Sequence, residues 1–229
     1  MQTRRDWLRS SLGIGGLLLA PPSILSAQEK SDFQPRSLDP VIRLSSNENP
    51  YGPSNRVQER IKSSFIHGCR YPYAYSDDLA EQLAKKHGVS PESIIITGGS
   101  TEGLRITGLT FASNGGEIIS GQPTFLAMMT YAEQWGASIN WVPVGADKGY
   151  DVDEMEKRIS SKTKLIFLCN PNNPTGTLVP AKKLVDFCDS ASKKAIVFSD
   201  EAYYDFIETP NYPSMIEAVK RGDNVIVSK

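Results

Sequence analysis

"KLIFLCNPNNPTG", residues 164–176, and "AIVFSDEAYYDF", residues 195–206, decide how this chain is read. Each opens with a short unbroken apolar run, the pattern of a strand buried on both faces. Each then turns polar at once. Between them "AKKLVDFCDSASK" (181–193) reads as a helix. Strand, helix, strand is the βαβ unit, in which the two strands run parallel.

The alternation extends in both directions. "SIIIT" (93–97), "EIIS" (117–120), "SINWVPV" (138–144) and "NVIVS" (224–228) read as further strands. "STEGLRITGLTFA" (100–112), "TFLAMMTYAEQWG" (124–136), "DVDEMEKRIS" (151–160) and "PSMIEAVKRG" (213–222) read as the helices between them. Asp151 with Glu154 three residues on is a variant of the capping box, and Val152, Met155 and Ile159 share one helix face. Upstream, "NRVQERIKSSFIHG" (55–68) and "DDLAEQLAKKHG" (77–88) also read as helices, the second with acids in its first turn and Gly88 as its stop. "VIRLSSNENPYGPS" (41–54) is a loop by composition. The expectation is an α/β fold with a mostly parallel sheet flanked by helices. In such sheets ligands sit at the carboxyl ends of the strands, so polar residues directly after strands are the candidates for function.

Three such stretches stand out. "GGSTEG" (98–103) follows "SIIIT"; its glycines let the backbone approach a ligand, and the helix start behind it suits a phosphate. It has neither GxGxxG nor a P-loop lysine, so neither a dinucleotide nor ATP is indicated. "NPNNPTG" (170–176) is a turn whose asparagines either satisfy the backbone or face a ligand. Asp200 in "DEAYYDF" would stand at the end of a central strand, partly desolvated, where an ionised carboxylate needs a cationic partner. A phosphate cradle, an Asn-rich loop and a strand-end Asp on one sheet edge suit a ligand with a phosphate and a protonated ring nitrogen. Pyridoxal phosphate has both.

Composition sets the exclusions. With 39% hydrophobic and 22% charged residues the chain is ordinary globular protein, and a formal charge of −1 leaves no basic surplus for nucleic acid. Cys69, Cys169 and Cys188 are scattered and odd in number, and the two histidines lie 20 apart, so neither a disulfide framework nor a metal site is expected. Residues 1–27 have Arg4 and Arg5 before Trp7 and Leu8, a short Gly-rich apolar stretch, and "LSA" before a cleavage point after Ala27. This resembles a twin-arginine export signal and is too short for a membrane span. Its loss removes Arg4, Arg5, Arg9 and Asp6, taking the formal charge to −3. An exported, periplasmic protein that uses the twin-arginine machinery is expected. Residues 28–54 then form an N-terminal arm and loop, and 55–229 the main domain.

"NENPYGPS", "RYP", "GGSTEG", "PTF", "NPNNPTG" and "DEAYYDF", in this order, resemble the class I/II aminotransferases of pyridoxal-phosphate fold type I, nearest to the histidinol-phosphate aminotransferase branch. The resemblance covers about residues 41–229 and implies a homodimeric transaminase acting on amino-acid and 2-oxo-acid substrates, with residues 55–229 as part of its large cofactor-binding domain. It implies that Ser100 and Thr101 form the phosphate cradle and Phe125 stacks on the cofactor ring. It implies that Asn173 and Tyr203 reach the ring hydroxyl and Asp200 holds the ring nitrogen. Tyr71 would reach the phosphate of a neighbouring subunit, and Asn47, Asn49 and Tyr51 would cover the substrate. The family's Schiff-base lysine follows the strand after "DEAY" in a "TFSK"-like motif, so it is expected just beyond Lys229, and Lys229 itself is expected to be a strand-end lysine. The family's C-terminal small domain, which carries the arginine for the substrate carboxylate, has no counterpart in these residues, so an N-terminal fragment without its own catalytic residue is expected. A C–S lyase or decarboxylase on the same scaffold, and a non-catalytic fragment, stay open as alternatives.

Overall fold

The computed structural model of the chain describes residues 44–49 and 51–229. Residues 1–43, which include the stretch expected to be an export signal and the start of the arm, lie outside the described residues. Those that are described fall into two compact units, one ending at Cys69 and one running from Arg70 to Lys229. In the first, helix α1 (Asn55–Ser64) is capped by Ser54, whose hydroxyl accepts from the Val57 amide, and buries none of its residues. A 3₁₀ turn at Phe65–His67 follows it.

The second unit holds one sheet. In chain order it runs α2 (Tyr73–His87), α3 (Ser100–Ala112), β1 (Glu117–Gln122), α4 (Ala127–Glu133), β2 (Ser138–Pro143), α5 (Val152–Lys157), β3 (Thr163–Cys169), α6 (Ala181–Ala191), β4 (Ile196–Asp200), α7 (Ile216–Arg221) and β5 (Val225–Ser228). The strands lie in the order β2-β1-β3-β4-β5, every pair parallel. From β1 the chain steps outward to β2, crosses back over β1 to β3, and then continues the other way. The order therefore reverses between β1 and β3.

Right-handed crossovers put helices on opposite faces when the direction reverses, and the core divides accordingly. On one face Ile118, Leu165, Phe167 and Phe198 pack against Leu104 of α3 and Met128, Met129 and Ala132 of α4. On the other, Ile119, Ile166, Leu168 and Val197 pack against Met155 of α5, Leu184 and Phe187 of α6, and Ala218 of α7. Alternate residues of each strand serve alternate faces, as the pleat requires. The runs "LIFLC" and "IVFS" have no polar side because they have no solvent side. Gly108 lets α3 and α4 approach closely: a Cβ there would stand 3.1 Å from Met128 Cγ.

Some expectations need correction. "SIIIT" is not a strand. A 3₁₀ turn occupies Pro91–Ser93, and the backbone is extended at Ile94 (φ −108°, ψ 129°), but no described strand pairs with Ile94–Thr97. Extended backbone becomes a strand only through ladder bonds to a neighbour, and Ile95 stands 85% exposed. Helix α2 starts at Tyr73, so Asp77 and Asp78 fall in its second turn rather than its first. Helices α4 and α5 are shorter than the apolar spacing suggests. The cap of α5 is as expected: the Asp151 carboxylate accepts from the Glu154 amide at 2.9 Å. Gly88 and Gly222 end α2 and α7 in the left-handed conformation that favours glycine. Among the described residues no helix is long and apolar enough to cross a membrane.

Candidate active site

The reversal of strand order between β1 and β3 sends the segments after these strands to opposite sides and leaves a crevice at their carboxyl ends. A cleft of about 610 Å³ opens there, lined by Thr101 and Arg105 of α3, Thr124 and Phe125 after β1, Tyr131 of α4, and Asn173 and Pro174 after β3. Three of the residues singled out by sequence, Thr101, Phe125 and Asn173, are thus brought to one cleft.

Ser100 and Thr101 are the first two residues of α3. The chain enters through Gly99 at φ +102°, ψ 164°, a conformation that residues with a Cβ rarely adopt. The opening amides of a helix have no partner within it. The Glu102 carboxylate turns back to accept from the Gly98 amide, fixing the turn before the helix.

The three asparagines of "NPNNPTG" divide by role. Asn170 is buried; its amide donates to the Tyr212 hydroxyl (2.8 Å) and its carbonyl accepts from the Val179 amide (2.9 Å). Asn172 is also buried and donates to the Pro123 carbonyl (3.1 Å) and to Thr175 Oγ1 (2.8 Å). These two hold the loop. The Asn173 side chain enters none of these bonds and faces the cleft.

Tyr150, which sequence reasoning passed over, ties the walls together. Its hydroxyl meets Thr124 Oγ1 at 2.5 Å, donates to Asn172 Oδ1 at 2.9 Å and accepts from the Cys169 amide at 3.3 Å. Burial pushes its ionisation far above the ordinary tyrosine range, so it stays a neutral donor. A signal was present: Gly121 interrupts β1, and a glycine inside a strand often marks a close approach. A Cβ at Gly121 would stand 2.0 Å from the Tyr150 ring.

Asp200 ends β4, buried, on the same sheet face as Phe198 and Cys169 and hence as the cleft-side helices. Its Oδ1 accepts from Ser228 Oγ (2.8 Å) and from the Ala202 amide (3.2 Å). Burial raises its pKa; those two bonds pull it back, and the neighbouring Glu201 charge adds to the rise. The Cys169 thiol beside it is pushed up to about 12, by burial first and by the Asp200 charge second, and stays neutral. Asp200 does not line the cleft itself.

Of the other nominated residues of the second unit, Tyr203 and Tyr71 are not among those lining the cleft. Tyr203 is half-buried, its ring 6.4 Å from that of Phe206. Tyr71 is largely exposed and stacks on Tyr73 at 5.6 Å. Asn47, Asn49 and Tyr51 belong to the first unit, where Asn49 Oδ1 accepts from the Tyr51 amide at 3.0 Å. Lys229 Nζ lies 3.0 Å from Glu201 Oε2 and 3.8 Å above the Tyr204 ring.

A helix start behind a glycine in a conformation that other residues rarely adopt, an aromatic wall, an amide side chain facing the cleft and a buried strand-end carboxylate match a phosphorylated, cationic ring in chemistry. Comparison with known proteins agrees. The chain is 34% identical over 190 residues to histidinol-phosphate aminotransferase 1 of Bacillus cereus, covering 83% of this chain and 51% of that one. It is 36% identical over 192 residues to the protein of the same name from Idiomarina loihiensis, covering 84% and 52%. It therefore spans about half the length of these relatives. The structure of histidinol-phosphate aminotransferase from Sinorhizobium meliloti in complex with pyridoxal-5'-phosphate has the same fold, with a TM-score of 0.72 at 24% identity over 80% of this chain and 49% of that one. The family model for aminotransferase class I and II matches residues 39–229, and the chain belongs to that family.

Proposed function

We propose that the protein is a pyridoxal-phosphate-dependent transaminase that moves an amino group between an amino acid, or a related amine, and a 2-oxo acid. The observation that carries this reading is the cleft at the β1/β3 reversal, which brings Thr101, Phe125 and Asn173 together on the sheet face that Asp200 shares. Bound pyridoxal phosphate supplies an electron-withdrawing ring that stabilises negative charge at the substrate α-carbon.

The chain's own residues bind and tune. The amides of Ser100 and Thr101, with the positive end of α3, hold the phosphate. Phe125 covers one ring face with no hydroxyl of its own. Asn173 donates to the ring oxygen, and Tyr203 reaches the same atom. Asp200 would keep a proton on the ring nitrogen; a cation held there would offset the desolvation that raises its pKa. Tyr71 serves the phosphate site of a second copy, so the working form is a homodimer. By the family resemblance, Asn47, Asn49 and Tyr51 would serve the substrate. The paired Arg4 and Arg5 support export to the periplasm through the twin-arginine machinery. Continued export of a reporter fused to residues 1–35 after Arg4→Lys/Arg5→Lys would exclude that route.

The test of the reaction uses protein expressed from the complete reading frame, pyridoxal phosphate, an isotope-labelled amino donor and a panel of 2-oxo acids. The expected product is a new amino acid that carries the label. Release of labelled ammonia, or of carbon dioxide, without transfer would replace the transaminase by a lyase or a decarboxylase.

A further inference from the structure

Two carboxylates stand side by side where β4 ends, Asp200 as its last residue and Glu201 directly after it. Asp200 is 3% exposed and Glu201 4%. Extended backbone sends neighbours to opposite faces, and here Asp200 is met by Ser228, the last residue of β5, and Glu201 by Lys229, which follows it. Asp200 pairs in register with Ser228 and takes its hydroxyl on the cleft face. Glu201 lies on the other face, among the residues around α7. There Oε2 accepts from Ser214 Oγ at 2.7 Å, Oε1 from the Met215 amide at 2.7 Å, and the Lys229 ammonium completes the set at 3.0 Å. The Tyr204 ring under Lys229 Nζ fixes the ammonium in place. Among the described residues, Lys229 is the sole ion-pair partner of Glu201.

We propose that Lys229 is a positioning residue that acts through Glu201: it neutralises the carboxylate on the far face so that Asp200 alone presents negative charge to the cofactor ring nitrogen. This rests on the reading of Asp200 given above. Two unbalanced buried carboxylates at adjacent residues would oppose each other's ionisation, and the Glu201 charge already contributes to the upward displacement of Asp200. The ammonium offsets one charge and leaves the other for the ligand. The other groups bearing on the pair are Tyr150 and Cys169 from the β3 side, Tyr204 and Tyr212 beyond β4, Cys188 of α6 and His87 at the end of α2. Of these His87 alone has an ordinary value near neutrality. Burial, then the Lys229 charge, displaces it downward, so a His87→Asn background removes it from the measurement.

The experiment uses protein from the complete reading frame, freed of cofactor, and measures pyridoxal phosphate affinity by absorbance titration between about pH 5 and pH 8. Lys229→Met should weaken binding at neutral pH by about tenfold and move the acid limb of the profile up by about one pH unit. Lys229→Arg should keep the wild-type profile. Adding Glu201→Gln to Lys229→Met should restore both affinity and profile, because the amide keeps an acceptor for Met215 and a polar partner for Ser214 while removing the charge. A Lys229→Met profile that superposes on the wild type would overturn the proposal. So would a double variant that is folded by circular dichroism and stays weak, since Lys229 would then act by packing. If the wild type itself binds no pyridoxal phosphate, it is the transaminase reading that falls.

Discussion

Replacing Tyr150 by Phe removes one oxygen atom and should loosen both walls of the cleft. The ring stays, so the packing over Gly121 is kept, but three buried partners lose a contact: Thr124 Oγ1, Asn172 Oδ1 and the Cys169 amide. The Thr124 hydroxyl can rotate and loses little. The Asn172 carbonyl and the Cys169 amide are held by the fold, and a buried polar group left unsatisfied costs roughly 1–3 kcal/mol. Some relaxation is shared, so the expected loss is about 2–4 kcal/mol, which for a domain of this size lowers Tm by roughly 4–16 °C. Calorimetry on wild type and Tyr150→Phe, both without cofactor, measures it. A Tm change under about 2 °C would correspond to less than one ordinary hydrogen bond and would refute the role given to Tyr150. A second readout follows from the geometry. Asn172 precedes Asn173 and Thr124 precedes Phe125, so affinity for pyridoxal phosphate should fall in the same variant.

Asp200→Asn should separate stability from binding. The folded protein holds the Asp200 proton more tightly than the unfolded chain, so Asp200 favours folding below the unfolded carboxylate value and loses that contribution as pH rises through its raised folded value. The Tm of the cofactor-free Asn variant, relative to wild type, should therefore rise as pH increases from about 4 to 8, while pyridoxal phosphate affinity drops by at least about tenfold; a Tm difference constant with pH would count against the assignment. Gly99→Ala places a Cβ at φ +102°, which costs on the order of 1–3 kcal/mol. Because the strain sits at the first turn of α3, it should weaken phosphate-bearing ligands more than pyridoxal itself; equal loss for both would dissociate Gly99 from the phosphate.

How far the fold could be read without coordinates depended on whether local pattern and tertiary partner agreed. "KLIFLC" and "AIVFSD" are apolar throughout because both faces of β3 and β4 are covered, so pattern and burial carry the same message. "SIIIT" has the same pattern but no neighbour supplies ladder bonds, and periodicity cannot report a missing partner. The rule about strand ends pointed to Asn173, which follows β3 and lines the cleft; Thr101 reaches the same cleft although the segment before it is not a strand, and Phe125 was indicated by the family resemblance rather than by that rule. The sorting of the asparagines did not follow, because Asn170 and Asn172 are distinguished from Asn173 only by what the remote residues Tyr212 and Tyr150 offer them. Tyr150 lies 26 residues from Thr124 and 22 from Asn172, in a stretch whose local pattern is merely the approach to a capped helix. Glu201 was overshadowed by Asp200. Only the alternation of the strand shows that the two carboxylates belong to different faces.

The reversal of strand order has a consequence for how such a protein can change. The cleft is not carved by any particular side chain; it opens because the chain laid its second strand on one side of the first and its third on the other. Substitutions at Ile118, Phe167 or Phe198 can weaken the domain without relocating that opening. What enters it, by contrast, depends on a few residues in the connections and on the helices beside them, of which Arg105 and Asn173 are outside the packed core. Location is thus inherited with the topology, while chemistry can be rewritten a residue at a time, so a lineage carrying this sheet can acquire a new substrate without having to discover a new place to bind it.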